Sequence, residues 1–492
     1  MAKDVIVVVQ RDALPSERES LDILLVSTTG KQPVKVYRDI ASVEAVFGPN
    51  GTTPNAKIVR KAKTLLNQGK TTLADTLVSK FKIVGFEPTS ATPATAASLV
   101  LTFASGNLPE PIEGNHTVCL RVGGDDSAVV SVTASEAVNT GAALAALFKG
   151  SEFTKGGKTY SAAVKSSVVT FTATKTGEAD TIPQKAEVFL DTELTTPIFA
   201  DNPTAAFENG SDVTSAAGNL IKEIKKFQTD VDNDWYYLMT DKDEDEYIQA
   251  LSKFAEASEP TEAELGAGVE DHRKFYMGQT SNKEFVCDAA RAAIIYTDAE
   301  YLREEPDASY TGNVAPFYPT SVTWKFKRPQ NGNAEVASII SLPQLTDGER
   351  DSLLERHVNF LTEEYKRQYV KDGTCLNGEF IDVVLGGDWI AKRMRDLLYD
   401  LLLENANINY DDAGFGFIAT AVLQALSEAV DHNIIARDAE SKAGVFMVVI
   451  PKYSESTEEQ RRNRTMPDIT WEALLSGAIH NVKVKGALRA SL

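Results

Sequence analysis

Two stretches of alternating strand and helix patterns frame a long stretch that carries almost only strand patterns. In the first, Leu21–Val26, Pro33–Tyr37 and Phe81–Phe86 read as strands. Ser42–Phe47 reads there as a short helix capped by Ser42, and Asn55–Leu66 as a helix with Ile58, Ala62 and Leu65 on one face. In the second, helix Ala216–Phe227 leads to strand Trp235–Met239. A helix over Lys242–Ala257 then opens with the capping-box pattern Asp241-x-x-Glu244, and strands Lys274–Met277 and Ala292–Tyr296 follow. Apolar strands separated by amphipathic helices bury both their faces best in a mostly parallel sheet covered by helices.

Residues 88–211 between them are rich in Thr, Ser, Ala, Gly and Val. Strand patterns recur at Ser98–Ala104, Thr117–Val122, Ala128–Thr133, Thr159–Val164 and Val168–Ala173, with one helix expected over Ala134–Phe148. Gly123-Gly124 and Gly156-Gly157 mark turns. The fold class is therefore multidomain α/β or α+β: an α/β sheet domain over 21–87 and 212–345, with a β-rich domain inserted at 88–211.

The pattern changes again near Leu345. Thr346-x-x-Glu349 is a capping box that opens a helix with Leu353, Leu354, Val358, Leu361 and Tyr365 on its stripe. Gly373–Val384 reads as a turn plus strand. Asp388–Glu404 and Asp411–Val430 read as amphipathic helices, Val445–Ile450 as a strand, and Glu458–Pro467 as an Arg-rich loop. This segment, 346–478, is expected to be a compact domain of its own.

Both ends read as strands: Val5, Ile6, Val7, Val8 and Val9 form an unbroken apolar run within an arm over 1–20. In a second arm over 479–492, Ile479 leads into Val482 and Val484, which alternate with Asn481, Lys483 and Lys485. An unpaired apolar strand is costly and adhesive, so these arms pair with each other inside one molecule or with neighbouring copies.

The net charge of −20 argues against a general binder of nucleic acid or anionic membrane. Part of the acid is concentrated between Asp230 and Asp271, whereas Lys483, Lys485 and Arg489 follow Glu472 with no further acid. A basic tail on an acidic body suits head-to-tail contact between copies, or folding of the tail onto its own surface. Cys119, Cys287 and Cys375 give neither a disulfide framework nor zinc spacing, and fit a reducing compartment. The N-terminus has no signal-peptide pattern, and no apolar run of membrane-span length is expected.

The patterns that suggest chemistry are incomplete. Gly69-Lys70-Thr71 lacks the earlier glycine of a phosphate loop, which would stand at Thr64. Asp241-x-Asp243-x-Asp245 begins like a calcium loop, but Glu246 and Ser252 occupy the positions needing Gly and Glu. The five histidines are scattered, Gly414-x-Gly416 lacks a third glycine, and Asp411-Asp412 suits a helix start. No cofactor, metal or catalytic residue is expected.

The C-terminal third nevertheless resembles the contractile tail sheath proteins of phages and phage-tail-like particles. The resemblance is carried by Lys371-Asp372-Gly373, Gly378-Glu379-Phe380-Ile381-Asp382-Val383-Val384 and Gly387-Asp388-Trp389-Ile390, then the helix Arg393–Leu403. It continues through Ile408-Asn409-Tyr410-Asp411-Asp412-Ala413-Gly414 to the closing Gly477-Ala478-Ile479-His480-Asn481-Val482-Lys483-Val484-Lys485-Gly486. Phe171-Thr172-Ala173-Thr174-Lys175-Thr176-Gly177 is similar to the β-rich insert of one branch of that family.

The resemblance implies a structural subunit that polymerises helically around a tail tube, donates terminal strands to neighbours and contracts to drive the tube through a cell envelope. In that reading Val5–Val9 and Val482–Val484 are the donated strands, the helices over 388–404 and 411–430 receive them, and the insert lies on the outer surface. The implied partners are other copies, the tube, the baseplate and the tail terminator, with no direct nucleic-acid contact and no membrane insertion. The implied location is a virion tail or tail-like particle assembled in the host bacterial cytoplasm. The competing readings are another tail component, or an α/β enzyme with a β accessory domain. The enzyme would be carbohydrate-active, using paired carboxylates of 230–271 set about 5–10 Å apart.

Overall fold

The computed structural model describes residues 23–49, 55–68, 78, 80–91, 96–104, 106–122, 128–155, 158–176, 186–190, 203–208, 215–266, 273–319, 321–336 and 338–483. The chain divides into two compact units, Met1–Pro88 with Leu220–Leu492, and Thr89–Asn219.

The larger unit is built on a mixed eight-stranded sheet. Its order is Arg367–Lys371, Asn359–Glu364, Ala292–Tyr296, Phe275–Thr280, Tyr237–Thr240, Ile23–Ser27, Phe81–Gly85 and Gln32–Tyr37. The six inner strands are parallel and the two edge strands antiparallel to their neighbours. Ile23–Ser27, Tyr237–Thr240 and Ala292–Tyr296 are buried along their whole length, which explains their unbroken apolar sequences. The edge strands carry Lys35, Arg367, Gln368 and Lys371, the polar character that blunts an open edge.

One face of the sheet packs against Val43, Phe47, Ile58, Ala62 and Leu65 from helices Ile40–Phe47 and Ala56–Leu66. The other packs against Leu220, Ile224, Ile248, Leu251 and Leu353 from helices Ala216–Asp230, Asp245–Glu256 and Asp347–Glu355. Helix Pro306–Val314 was not legible as a helix, because all nine of its residues are buried and no polar face breaks its pattern. Its Gly312 lies so close to the preceding layer that a Cβ there would sit 3.1 Å from the Leu65 carbonyl oxygen.

Several local expectations are corrected. Helix Ile40–Phe47 is capped by Asp39, which accepts from Ser42 N at 2.8 Å, and Ser42 lies inside the helix. Asp241 does not cap the helix that follows it. That helix begins at Asp245, and Asp241 accepts from the Thr28 amide at 2.8 Å and the Thr28 hydroxyl at 2.9 Å. The capping box of Thr346 and Glu349 forms, but its helix ends at Glu355. Val358 and Leu361 belong instead to the approach and body of strand Asn359–Glu364, because His357 takes a left-handed φ of 58° that turns the chain. Gly373–Val384 contains no strand of that length. Turns at Asp372 and Gly373 lead into a helix that runs from Ile381 to Glu404, longer than expected.

The last part of this unit has a second core. Helices Ile381–Glu404 and Asp412–Asp431 pack together through Trp389, Ile390, Met394, Val422, Leu426 and Val430. Asp411 caps the second helix by accepting from Gly414 N at 2.8 Å. Among the described residues this one helix is long and apolar enough to cross a membrane by length and composition, which the sequence pattern had not suggested. Half of that apolar stretch is buried within this core. An antiparallel pair, Phe446–Val449 with Thr470–Ala473, lies against the core through Phe446, Val448 and Trp471. The Arg-rich segment between them contains a short helix, Glu458–Asn463, with its own Thr457–Gln460 capping box.

The smaller unit is antiparallel β. A five-stranded sheet has the order Thr204–Glu208, Ala96–Thr102, Val168–Thr176, Lys158–Lys165, Glu152–Lys155. A three-stranded sheet joins Ala186–Leu190, His116–Val122 and Ala128–Ala134. Leu99, Leu101, Val118, Leu120, Tyr160, Phe171 and Val188 fill its core. The helix expected over Ala134–Phe148 is only Gly141–Leu147, capped by Thr140, because Ala128–Ala134 and Val138–Thr140 are strands.

Candidate functional site

The acidic crevice at the carboxyl ends of the central strands is the natural place to look for chemistry in a parallel sheet. It is lined by Lys57, Asp241, Asp243, Glu244, Asp245 and Asn282 among others. Asp241 is held by Thr28, Asp243 pairs with Lys57 and accepts from Gln279 Nε2 at 3.0 Å, and Asp245 accepts from Asn282 Nδ2 at 2.5 Å. These carboxylates are tied into loop and helix ends. No group of three or more His, Cys, Asp or Glu among the described residues is arranged to hold a metal ion.

The buried charges lie deeper and tie elements together. Asp388, fully buried in helix Ile381–Glu404, accepts from the Tyr236 hydroxyl and forms an ion pair with Arg291. Arg291 also reaches Glu259 at 2.9 Å and donates from Nε to the Lys274 carbonyl at 3.2 Å. The Asp388 carboxylate holds Arg291 firmly charged although burial alone would oppose it. The adjacent Trp389 faces the other core and meets the His432 ring at 4.9 Å. The Asp-Trp pair thus fastens one helix to the sheet and to its helical partner. A second knot joins Lys61 to Asp307 and Glu305, with Arg60 Nε 2.9 Å from Glu305. Burial raises the Glu305 carboxyl to about 7 in spite of those cations.

The surface of the C-terminal region has a different character. On the strand pair, Met447, Val449 and Leu474 are 56%, 52% and 58% exposed. Among the described residues no third strand runs along this pair, and the segment 434–437 bridges its end through Ile435 to Leu475 and Arg437 to Gly444. The chain then leaves the body. Among the described residues, its last backbone hydrogen bond there runs from Ser476 N to the Ile434 carbonyl at 2.9 Å. Ile479 and Val482 are 78% and 79% exposed, and Lys483 is exposed as well.

Of the arm residues expected from sequence, the structure therefore places Ile479, Val482 and Lys483 on an exposed tract that forms no strand through Lys483. Val5, Ile6, Val7, Val8, Val9, Val484 and Lys485 lie outside the described residues. Sequence reasoning missed the seat of His480. Its ring packs edge-on against Phe380 at 4.8 Å and Phe326 at 6.2 Å, and its Nε2 lies 2.8 Å from the Thr323 hydroxyl. No local sequence signal marked this seat, because Thr323, Phe326 and Phe380 are all distant from His480 along the chain.

No family model and no curated protein matches this sequence. Three solved structures align with it at TM-scores below 0.5. A sheath tail protein from Desulfitobacterium hafniense is 10% identical, with a TM-score of 0.40 over 90% of this chain and 93% of that one. A chain of the anti-feeding prophage baseplate is 15% identical, with a TM-score of 0.41 over 57% of this chain and 76% of that one. A chain of the PVC sheath complex, an extracellular contractile injection system in its contracted state, is 13% identical, with a TM-score of 0.38 over 59% and 78%.

Proposed function

We propose that this protein is a structural subunit of a contractile tail sheath, in a phage tail or tail-like particle. The observation that carries this reading is the C-terminal surface: a two-stranded sheet that no third described strand joins, with exposed Met447 and Val449, followed by a tract exposing Ile479 and Val482. A two-stranded sheet is weak by itself, and open strands are completed by strand addition. In the proposed assembly, Val5–Val9 and Val482–Val484 of neighbouring copies add to those edges. Backbone hydrogen bonds supply the linkage, and the alternation of side chains sets register.

The same reading gives the other parts their roles. The compact region from Asp388 onward receives the arms, and copies stack helically around a tail tube, bounded by a baseplate and a terminator. Contraction draws on larger contacts between copies and needs no nucleotide. The subunit works by linkage and carries out no catalysis. The sequence order of the motifs over 371–486 supports this assignment beside the surface. Negative-stain imaging of the purified protein over a concentration series tests it. Tubes or rings that appear as concentration rises are expected. Monodisperse monomers at every concentration would contradict it.

A further inference from the structure

Three separated motifs, Lys371-Asp372-Gly373, Gly378-Glu379-Phe380 and the closing Ile479-His480, meet at one place in the fold. Between Gly477 and Lys483, His480 is the one residue that is not exposed. Its ring sits edge-on to Phe380 and Phe326 and is hydrogen-bonded to Thr323. The seat is built at a conformational cost. Phe326 adopts φ 65°, which is unusual for a bulky side chain, and Asp372 adopts φ 68°. Two backbone hydrogen bonds hold this turn, Phe326 N to the Val370 carbonyl at 3.1 Å and Val370 N to the Lys327 carbonyl at 2.8 Å. Gly373 completes it at φ 73°, where a Cβ would stand 2.5 Å from Lys325 N. Phe326 and Phe380 remain 44% and 41% exposed, so the core does not require either ring.

We infer that His480 anchors the C-terminal tract, fixing the point from which the chain after Asn481 can reach a second copy. The inference rests on the assembly reading above. Without the anchor, the tract would be free from Gly477 onward, after the last backbone bond at Ser476. A longer free tether searches more volume and loses more entropy when its strand pairs. The anchored ring shortens the tether before a partner arrives. Burial and the neighbouring Lys325 hold the His480 imidazole below its ordinary range, and its Nε2 shares a hydrogen bond with the Thr323 hydroxyl.

The test uses the full chain with His480→Ala, Phe380→Ala, the double variant and His480→Phe. In the unassembled protein, cleavage by trypsin after Lys483 needs the flanking residues to enter the protease cleft, which the seated ring resists. Loss of an edge-on aromatic pair and a hydrogen bond predicts roughly tenfold faster cleavage for His480→Ala. The critical concentration for assembly should rise by about the same factor. The double variant should be no worse than the more severe single variant, and His480→Phe should recover part of the effect through its ring contacts. The thermal midpoint of the unassembled protein should not move. Unchanged cleavage in His480→Ala, or a fall in its midpoint as large as that of a core variant, would overturn the anchor. If His480→Ala assembles normally while deletion of 481–492 abolishes assembly, the anchor fails and the arm reading stands. If the deletion also assembles normally, the arm reading fails and the anchor with it.

Discussion

The central sheet and the C-terminal region belong to one unit, yet they manage their surfaces in opposite ways. Around the sheet, apolar residues are buried on both faces, the edge strands are polar, and deep charges are paired with one another. That region is complete as a single copy. The C-terminal region also has a packed core, and its two helices are clamped by Arg393, whose Nη2 lies 3.0 Å from Glu428. Yet no third described strand joins its strand pair, the pair and the residue after it show Met447, Val449 and Leu474, and the tract beyond shows Ile479 and Val482. One region buries its apolar surface, and the other leaves part of it exposed.

The difference predicts how substitutions sort, and the first should hit the sheet side hardest. Asp388→Ala removes the carboxylate from a buried ion pair and leaves Arg291 without its closest partner. A loss of about 3–5 kcal/mol is expected in denaturant unfolding. A loss near zero would mean that the two regions are not fastened as described.

Glu305 gives a pH signature of the same region. Its folded-state value is raised from 4.5 to about 7, so the folded protein binds this proton more tightly. Its contribution to stability is fully present below pH 4.5 and is lost as pH rises through about 7. Unfolding free energies of Glu305→Gln and the unsubstituted protein should therefore diverge across that window and run parallel above it. Parallel curves throughout would break the account of this knot.

Smaller still is the effect at Thr346, whose hydroxyl accepts from Glu349 N at 3.3 Å at the start of helix Asp347–Glu355. Thr346→Ala should cost about 1 kcal/mol, read as a shift in the urea midpoint. The smallest stability change belongs to the open surface. Met447→Ser with Val449→Ser should alter unfolding by no more than about 0.5 kcal/mol per site. The same pair should raise the concentration needed for assembly, measured by sedimentation. A destabilised monomer would mean that these side chains serve the fold of one copy.

What could be read from the chain follows the same division. The parallel sheet was legible, since strands buried on both faces are written as continuous apolar runs such as Ala292–Tyr296. The strand stretch of 88–211 was legible from alternation, although its helix was overextended. Helix Pro306–Val314 was hidden because burial on every side removes periodicity. Strand Asn359–Glu364 was hidden because Leu353, Val358 and Leu361 also fit a helical stripe, and only the left-handed His357 breaks it. Within the candidate site, Ile479 and Val482 were readable as part of a terminal strand that pairs within one molecule or with a neighbouring copy, and through Lys483 they lie exposed and form no strand. The role of Asp388 and the seat of His480 were not, because their partners lie far away in sequence. Arg291 stands 97 residues from Asp388, and Thr323 stands 157 from His480.

Deletion of residues 479–492 tests the central claim most directly. The account predicts a protein that unfolds like the full chain yet stays monomeric in sedimentation and forms no tubes by electron microscopy. Tubes formed by the truncated protein at the concentrations that suffice for the full chain would contradict it.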